Sequence, residues 1–465
     1  MSKYKSFLDN KRQLSGNFGF EPVYMNDKAF PFQQALSTFA VNKGRCALFA
    51  DCGLGKTLME LIWAQNVVEK TNGRVLILTP LSVSRQTVEE GEKFGIECHR
   101  SHKGELDGKI IVTNYERLHF FKPEDFAGVV CDESGILKNF KGTTKADVTE
   151  FMRTREFRLL CTATAAPNDF VELGTSSEAL GDLGYIAMLQ RFFKASDGSF
   201  AQGGGAGRRT RFSESESFEG KFYIKPHAER DFWRWVCSWA RAVRKPGDMG
   251  FSNDGYDLPE LITNHHMVES PVQDSGFLFP MIAQGLKEQR HERSITVKDR
   301  CEKAAEITLS HNDSAVCWCH LNTEGDLLAK LIPDSIQVSG SDSDEKKEEA
   351  FEAFERGKVR VIVTKPTIAG FGLNWAHCHR QTTFPSHSFE QWYQSIRRSW
   401  RFGQKNNVTI DVISSEAEAD VLKNLQRKAR AADRMFENLI SFMSDELKIQ
   451  EKETHVNDME LPAWI

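Results

Sequence analysis

Two stretches of the chain share one rhythm of apolar and polar positions. In the first, "CALFA" (46–50), "VLILTP" (75–80), "KIIVTN" (109–114), "GVVCDE" (128–133) and "RLLCTAT" (158–164) are short apolar runs separated by helical stretches. In the second, "SAVCWC" (314–319), "SIQVSG" (335–340), "VRVIVT" (359–364) and "VTIDVI" (408–413) repeat the pattern. An unbroken apolar run of this length predicts a strand buried on both faces. Strands of that kind alternating with helices predict a parallel, doubly wound sheet. Two α/β lobes of similar size are therefore expected.

Between them the pattern changes. "ALGDLGYIAMLQRFF" and "ERDFWRWVCSWARAVR" read as helices that flank "GSFAQGGGAGRRTRFSESES", a Gly/Ser-rich loop. After the second lobe comes a charged helical stretch, then a tail ending "MELPAWI". The expected division is a first lobe over 1–175, a helical insertion and linker over 176–295, a second lobe over 296–420, and a helical extension with tail over 421–465.

Composition narrows the class of protein. The 465 residues are enough for two to four domains. With 27% charged and 40% hydrophobic residues, the chain reads as globular and soluble. Net charge is -5 and the pI is about 6.3, so any nucleic-acid surface must be local. No apolar run reaches the length of a membrane span, and "MSKYKSFLDNKRQ" lacks the apolar core of a secretory signal. Ten cysteines are scattered, several of them inside apolar runs. A cytoplasmic location with reduced thiols is expected, and no membrane.

Chemistry concentrates at three places. "ADCGLGKT" (50–57) leaves a strand and opens a helical run. Gly53 and Gly55, with Leu54 between them, let backbone N–H groups turn toward phosphate oxygens, and the helix N-terminus adds partial positive charge. Lys56 would reach the outer phosphates and Thr57 would bind Mg²⁺. The first glycine of the usual phosphate loop is Ala50 here. "VVCDES" (129–134) puts Asp132 and Glu133 at a strand's carboxyl end. Asp132 would hold Mg²⁺ and Glu133 would polarise the attacking water. ATP and Mg²⁺ are the expected cofactors. The third place is "QSIRRSWRFGQ" (394–404), where Gln394, Arg398 and Arg401 fall at i, i+4 and i+7, one stripe of a helix. Phosphoryl transfer needs more positive charge than Lys56 and a metal provide, and an arginine finger is worth roughly 10³–10⁵ in rate. Arg398 and Arg401 are candidates for that finger, with Gln394 orienting water or phosphate.

The ordered set of motifs resembles helicase superfamily two, and within it the SWI/SNF-type DNA translocases. "FPFQQ" (30–34) is similar to the adenine-reading motif, with Gln33 as reader. "LTPLSVSRQTVEE" (78–90) resembles the Pro-x-Ser motif, and "VTNYERL" (112–118) the Thr-x-Tyr-Glu motif. "DESGILKN" (132–139) matches the Asp-Glu box, and "CTATAAPNDFVEL" (161–173) resembles the Thr-Ala-Thr coupling motif. "VRKPGDMG" with "DLPEL" (257–261) is similar to the step into the second lobe. "TKPTIAGFGLNW" (364–375) resembles the Gly-x-Gly-x-Asn motif, and the arginine stretch the final motif with its Gly-Gln. The resemblance runs from about residue 28 to 415, and the compact form is similar to bacteriophage and prophage members. It implies two RecA-like lobes and DNA, duplex for this group, as the track. It places Pro80, Ser82, Thr113, Tyr115, Thr364, Lys365 and Asn374 on the nucleic acid, and Gly372 with the nucleotide. The chain would work as a monomeric motor, with a phage or host protein as a further partner. Five positions depart from the pattern. Ser134-Gly135 stands for Ala-His, Ala165 for Pro, Ala369 for Gly and Trp400 for His. Rival readings are a strand-separating helicase of DNA or RNA and an ATP-gated DNA-binding switch.

Other patterns have plainer readings. "CWCH" (317–320) invites zinc, but in a strand Cys317 and Cys319 face one side and His320 the other, so core cysteines are expected. The tryptophans of "FWRWVCSWARAVR" (232–244) are expected as core anchors. "SDSDEKKEEAFEAFE" (341–355) predicts a capped amphipathic helix with Phe351 and Phe354 inward. "RRTR" (208–211) could touch DNA phosphates, and "LPAWI" could dock on a partner.

Overall fold

A computed structural model describes residues 16–138, 142–166, 169–195, 222–269, 294–370, 372–386, 388–415 and 418–457. The "RRTR" loop and the "LPAWI" tail lie outside them. The chain divides into two compact units. One comprises Met1–Thr79, Thr87–Ser252 and Ala431–Ile465, and the other Pro80–Gln86 and Asn253–Arg430.

In the first unit, β1 (Arg45–Ala50), β2 (Arg74–Thr79), β3 (His99–Arg100), β4 (Ile110–Asn114), β5 (Phe126–Asp132) and β6 (Phe157–Thr162) follow in order, and all but β3 are strands that the apolar runs announce. A small antiparallel pair follows, β7 (Phe193–Ala195) and β8 (Phe222–Ile224). The last strand is β9 (Ala240–Val243). The large sheet has the order β3-β4-β2-β5-β6-β1-β9, and every pairing in it is parallel. β1 and β5 therefore flank β6, and the carboxyl ends of these three strands lie side by side.

The stretch "ERDFWRWVCSWARAVR" is not one helix. It is helix Glu229–Cys237 followed by β9, which pairs with β1. The free edge of β1 decides this. Its N–H groups at Ala47 and Asp51 find the carbonyls of Trp239 and Val243 at 2.9 and 3.0 Å. A buried strand edge without such partners would leave several backbone groups unsatisfied. Ala240–Val243, expected within an insertion, thus completes the sheet of this unit. Trp233, Trp235 and Trp239 are all buried in its core. Trp235 Nε1 donates to Asp182 at 2.9 Å, and Trp239 meets Phe49 edge-on at 6.0 Å between centroids. Met435, Phe436, Leu439 and Met443, from helix Ala419–Asn457, join the same core. Arg244 ties them in, paired with Asp433 at 2.8 Å and lying over the Phe436 ring.

In the second unit, β10 (Leu261–Val268), β11 (Ala315–Trp318), β12 (Ser335–Val338), β13 (Val361–Thr364), β14 (Arg380–Thr383) and β15 (Val408–Ser415) form one sheet. Its order is β10-β15-β14-β11-β13-β12, again parallel throughout. Both sheets carry helices in their connections, so the α/β class with two parallel sheets stands. β14 reads "RQTT" and has no apolar signal, yet it is central. Its Gln381 is buried because its carboxamide accepts from Trp318 Nε1 at 2.9 Å and donates to the Ile396 carbonyl at 3.3 Å. A buried ion pair, Arg300–Glu324 at 2.9 Å, fixes the start of helix Asn322–Leu331. The other oxygen of Glu324 accepts from the N–H groups of His320 and Leu321. Helix Asp344–Glu355 is capped by Ser343, which accepts from the Lys346 N–H, and it buries Phe351 and Phe354. Cys317 and Cys319 sit in the core, Cys317 beside the Thr308 hydroxyl at 3.4 Å and Cys319 donating to the Thr364 carbonyl at 3.5 Å. Among the described residues no helix is long and apolar enough to cross a membrane.

Candidate nucleotide site and the arginine cluster

The phosphate loop leaves the carboxyl end of β1. Gly53 has φ 87° and Gly55 φ 75°, values at which a side chain is strained. Gly55 is doubly constrained, because a Cβ there would lie 2.3 Å from Gln33 Nε2. Helix Lys56–Thr71 starts immediately, with Thr57 half-buried in its first turn. Lys56 Nζ donates to the Ala50 carbonyl at 3.0 Å. Gln33 is buried and holds the loop. Its Oε1 accepts from the Phe30 N–H at 2.9 Å and its Nε2 donates to the Leu54 carbonyl at 2.9 Å.

Two strands across, β5 ends in Asp132, and Glu133 follows with φ 54°. A glutamate in the left-handed region persists only where its surroundings impose it, and such positions cluster at functional sites. Three contacts surround this turn. Tyr115 OH donates to the Asp132 carbonyl. Thr162, at the end of β6, donates to Glu133 Oε2 at 3.2 Å. Thr162 Oγ1 in turn accepts from the Thr164 N–H at 3.0 Å.

The electrostatics are dominated by acids. Burial opposes the charge of Lys56, but Cys52, Glu133, Asp132 and Asp51 together hold its pKa above the ordinary lysine value. Asp132 is pushed up to about 7, first by burial and then by Glu133, with Lys56 opposing. Glu60, fully buried one turn into the helix, is raised well above the carboxylate range by burial and by Asp132. Its carboxyl lies against Asp132 and the Cys161 thiol. One ammonium thus faces several carboxyls. That imbalance suits a divalent cation, with Thr57 and Asp132 as the residues to hold it.

A pH dependence follows. Below about pH 7 Asp132 carries a proton, and a protonated carboxyl does not ligate. Mg²⁺ binding with a non-hydrolysable ATP analogue should therefore weaken as pH falls, by about tenfold per unit below about 7, and release a proton. Isothermal titration in buffers of different ionisation enthalpy measures both. An affinity unchanged from about pH 5.5 to about pH 7 would contradict this assignment of Asp132.

In the second unit, the expected stripe of Gln394, Arg398 and Arg401 is not a helical one. Helix Phe389–Ile396 ends before either arginine. The two arginine side chains converge all the same, on a backbone carbonyl. Arg398 Nη1 and Arg401 Nη1 both donate to the Leu373 carbonyl, at 3.1 and 2.9 Å. Arg398 also donates to Gln394 through its carbonyl and its Oε1, each at 2.9 Å. Gln394 and Arg398 are fully buried, whereas Arg401 is half-buried. Leu373 follows Gly372, whose φ of 75° needs a glycine.

The residues assigned to nucleic acid separate by exposure. Thr113 and Thr364 are buried, their hydroxyls donating to the carbonyls of Ser101 and Val338. Tyr115 is buried against Asp132 as above. Lys365 is partly exposed, its Nζ 2.6 Å from Asn322 Oδ1, and Asn374 is exposed. Pro80 caps a short 3-10 turn that includes Ser82, whose side chain lies outside the described residues. Sequence reasoning missed Glu60, although a lone acid inside the apolar run "LMELIWA" was a visible signal. It also missed Thr162 as the partner of Glu133.

No protein-family model matches the chain, and no curated protein matches it. Among solved structures, the chain is similar to the Sulfolobus solfataricus SWI2/SNF2 ATPase core in complex with dsDNA. The identity is 17%, the match covers 91% of this chain and 96% of that one, and the TM-score is 0.40.

Proposed function

We propose that this protein is a DNA-dependent ATPase that couples ATP hydrolysis to movement along duplex DNA. The observation that carries the ATPase is the meeting of Lys56, Thr57, Asp132 and Glu133 at the carboxyl ends of β1 and β5, with β6 between them. Ligands of parallel α/β sheets bind at that end. The phosphate loop and the helix N-terminus at Lys56 would cradle the triphosphate, and Gln33 would brace the loop. Mg²⁺, held by Thr57 and Asp132, would neutralise charge on the phosphate oxygens. Glu133 would take the proton of the attacking water. Arg401 would supply charge to the transferred phosphoryl group, and Arg398, with Gln394, would hold the segment at Gly372 and Leu373 in shape.

Duplex DNA as the track rests on the ordered motif set. Lys365 and Asn374 are polar side chains of that set with exposed surface. Contacts of this type go to the phosphate backbone, are largely sequence-independent and weaken steeply with salt. Alternating grip by two lobes would turn an ATP cycle into displacement.

Steady-state ATPase with duplex DNA, single-stranded DNA and RNA tests the reading, alongside displacement of a triplex-forming strand and unwinding of a tailed duplex. The expected result is stimulation by duplex and triplex displacement without unwinding. Efficient unwinding without triplex displacement would make the protein a strand-separating helicase. Failure of both, despite DNA-stimulated turnover, would make it an ATP-gated switch.

A further inference from the structure

Both ends of the Gln33 carboxamide are already taken by the protein. Helix Pro31–Lys43 opens with a proline, and Gln33 is its third residue. Gln33 Oε1 accepts from the N–H of Phe30, the residue before the helix, at 2.9 Å. This is the reach-back half of a capping box. Gln33 Nε2 donates to the Leu54 carbonyl of the phosphate loop, also at 2.9 Å. A donor on one side and an acceptor on the other fix which end of the amide is which. The residue is 4% exposed. Turning its amide toward a base would break both bonds, loosening the helix start and the loop together.

The amides around it are committed in the same way. Asn66, in helix Lys56–Thr71, accepts from the N–H groups of Val23 and Tyr24 at 2.8 and 3.0 Å. It donates to the carbonyls of Tyr24 and Ile62, each at 2.8 Å. Asn26 donates to the Phe94 carbonyl at 2.8 Å and accepts from the Lys28 N–H at 3.0 Å. Gln34 donates to the Ala29 carbonyl at 3.0 Å. The segment leading into Gln33 is thus fastened to the helix behind the phosphate loop, with these amides turned to the protein. What remains for a nucleotide is the cradle of Gly53, Gly55 and Lys56, which addresses the triphosphate. That part is the same in every nucleotide. A site built around a hydrogen bond rejects an analogue lacking it by about 10⁴–10⁵-fold, whereas shape in an apolar pocket discriminates by only about 10–10²-fold.

We propose that Gln33 braces the phosphate loop and reads no base, so that the protein hydrolyses GTP, CTP and UTP as well as ATP. This departs from the adenine-reading role that the family motif implies. The proposal rests on the ATPase reading above. In each case water attacks the γ-phosphorus and the bond to the β–γ bridging oxygen breaks. Nucleoside diphosphate, inorganic phosphate and a proton are released. Gln33 is a positioning residue, acting through the Leu54 carbonyl.

The test measures kcat and KM of the full chain for ATP, GTP, CTP and UTP, with Mg²⁺ and duplex DNA, and repeats them for Gln33→Ala and Gln33→Glu beside a thermal melt. The four wild-type kcat/KM values are expected within about tenfold of one another. Gln33→Ala should lower kcat/KM by about tenfold to 10²-fold, the scale of a misplaced reacting group, and by the same factor for all four. Gln33→Glu keeps the acceptor for the Phe30 N–H and loses the donor to Leu54. It should melt closer to wild type and still lose turnover evenly. A wild-type preference for ATP above about 10²-fold that collapses in Gln33→Ala would make Gln33 the reader and overturn the proposal. The same preference surviving both substitutions would place base recognition on another group and overturn it equally. A lower melting temperature with kcat/KM unchanged would leave Gln33 a helix cap and no brace. Absence of turnover with all four nucleotides would remove the ATPase reading, and this proposal with it.

Discussion

Arg401→Ala is expected to lower kcat for ATP hydrolysis by about 10³–10⁵-fold and to leave ATP affinity within a few-fold. This is the signature of a group that acts on the transition state and contributes little to ground-state binding. The structure separates Arg401 from its neighbour. Arg398 is 2% exposed and satisfied by Gln394 and Leu373. Removing it leaves buried acceptors without a donor, at roughly 3 kcal/mol, so Arg398→Ala should first lower the melting temperature. Arg401 is half-buried and donates to the Leu373 carbonyl. Its loss should cost less stability and more catalysis. Single-turnover hydrolysis and a thermal melt on both variants decide the matter. If Arg401→Ala hydrolyses normally and loses only DNA binding, the arginine stretch is a basic surface and no finger.

Glu133→Gln should bind ATP with Mg²⁺ and hydrolyse it about 10²–10⁴-fold more slowly, holding the protein on DNA. The amide keeps the shape of the side chain and can still accept from Thr162, but it cannot take a proton from water. Its position also matters. Glutamine adopts φ 54° no more easily than glutamate, so the backbone strain at this residue is unchanged by the substitution. A fall in kcat therefore reports chemistry. Turnover within a few-fold of wild type would show that the base lies elsewhere.

What could be read from sequence was what is local or uniformly apolar. β1, β2, β4, β5 and β6 are buried on both faces, so each appears as a continuous apolar run. The phosphate loop lies within eight consecutive residues, and its glycines announce themselves. β9 and β14 escaped for opposite reasons. β9 carries Arg241, whose guanidinium is buried over the Phe39 ring, and it continues a tryptophan-rich helix without a turn signal. β14 is a strand of polar residues made tolerable by partners such as Trp318. At the site, the spacing of Gln394, Arg398 and Arg401 suggested convergence, but the shared target is Leu373, a contact made across 25 and 28 residues. The pairing of Thr162 with Glu133 likewise depends on which strands are neighbours, and strand order is not written in either segment.

The core of the first unit has a consequence for how the protein is made. Met435, Phe436, Leu439 and Met443 pack with Phe232, Trp233 and Val236, so residues late in the chain close a core begun in its first hundred. During synthesis the ribosome delivers all of Asn253–Arg430, the greater part of the other unit, before these four side chains exist. The unit that starts first is therefore finished last. Until then its aromatic surface around the tryptophans is uncovered, which is the state in which nascent chains aggregate or recruit chaperones.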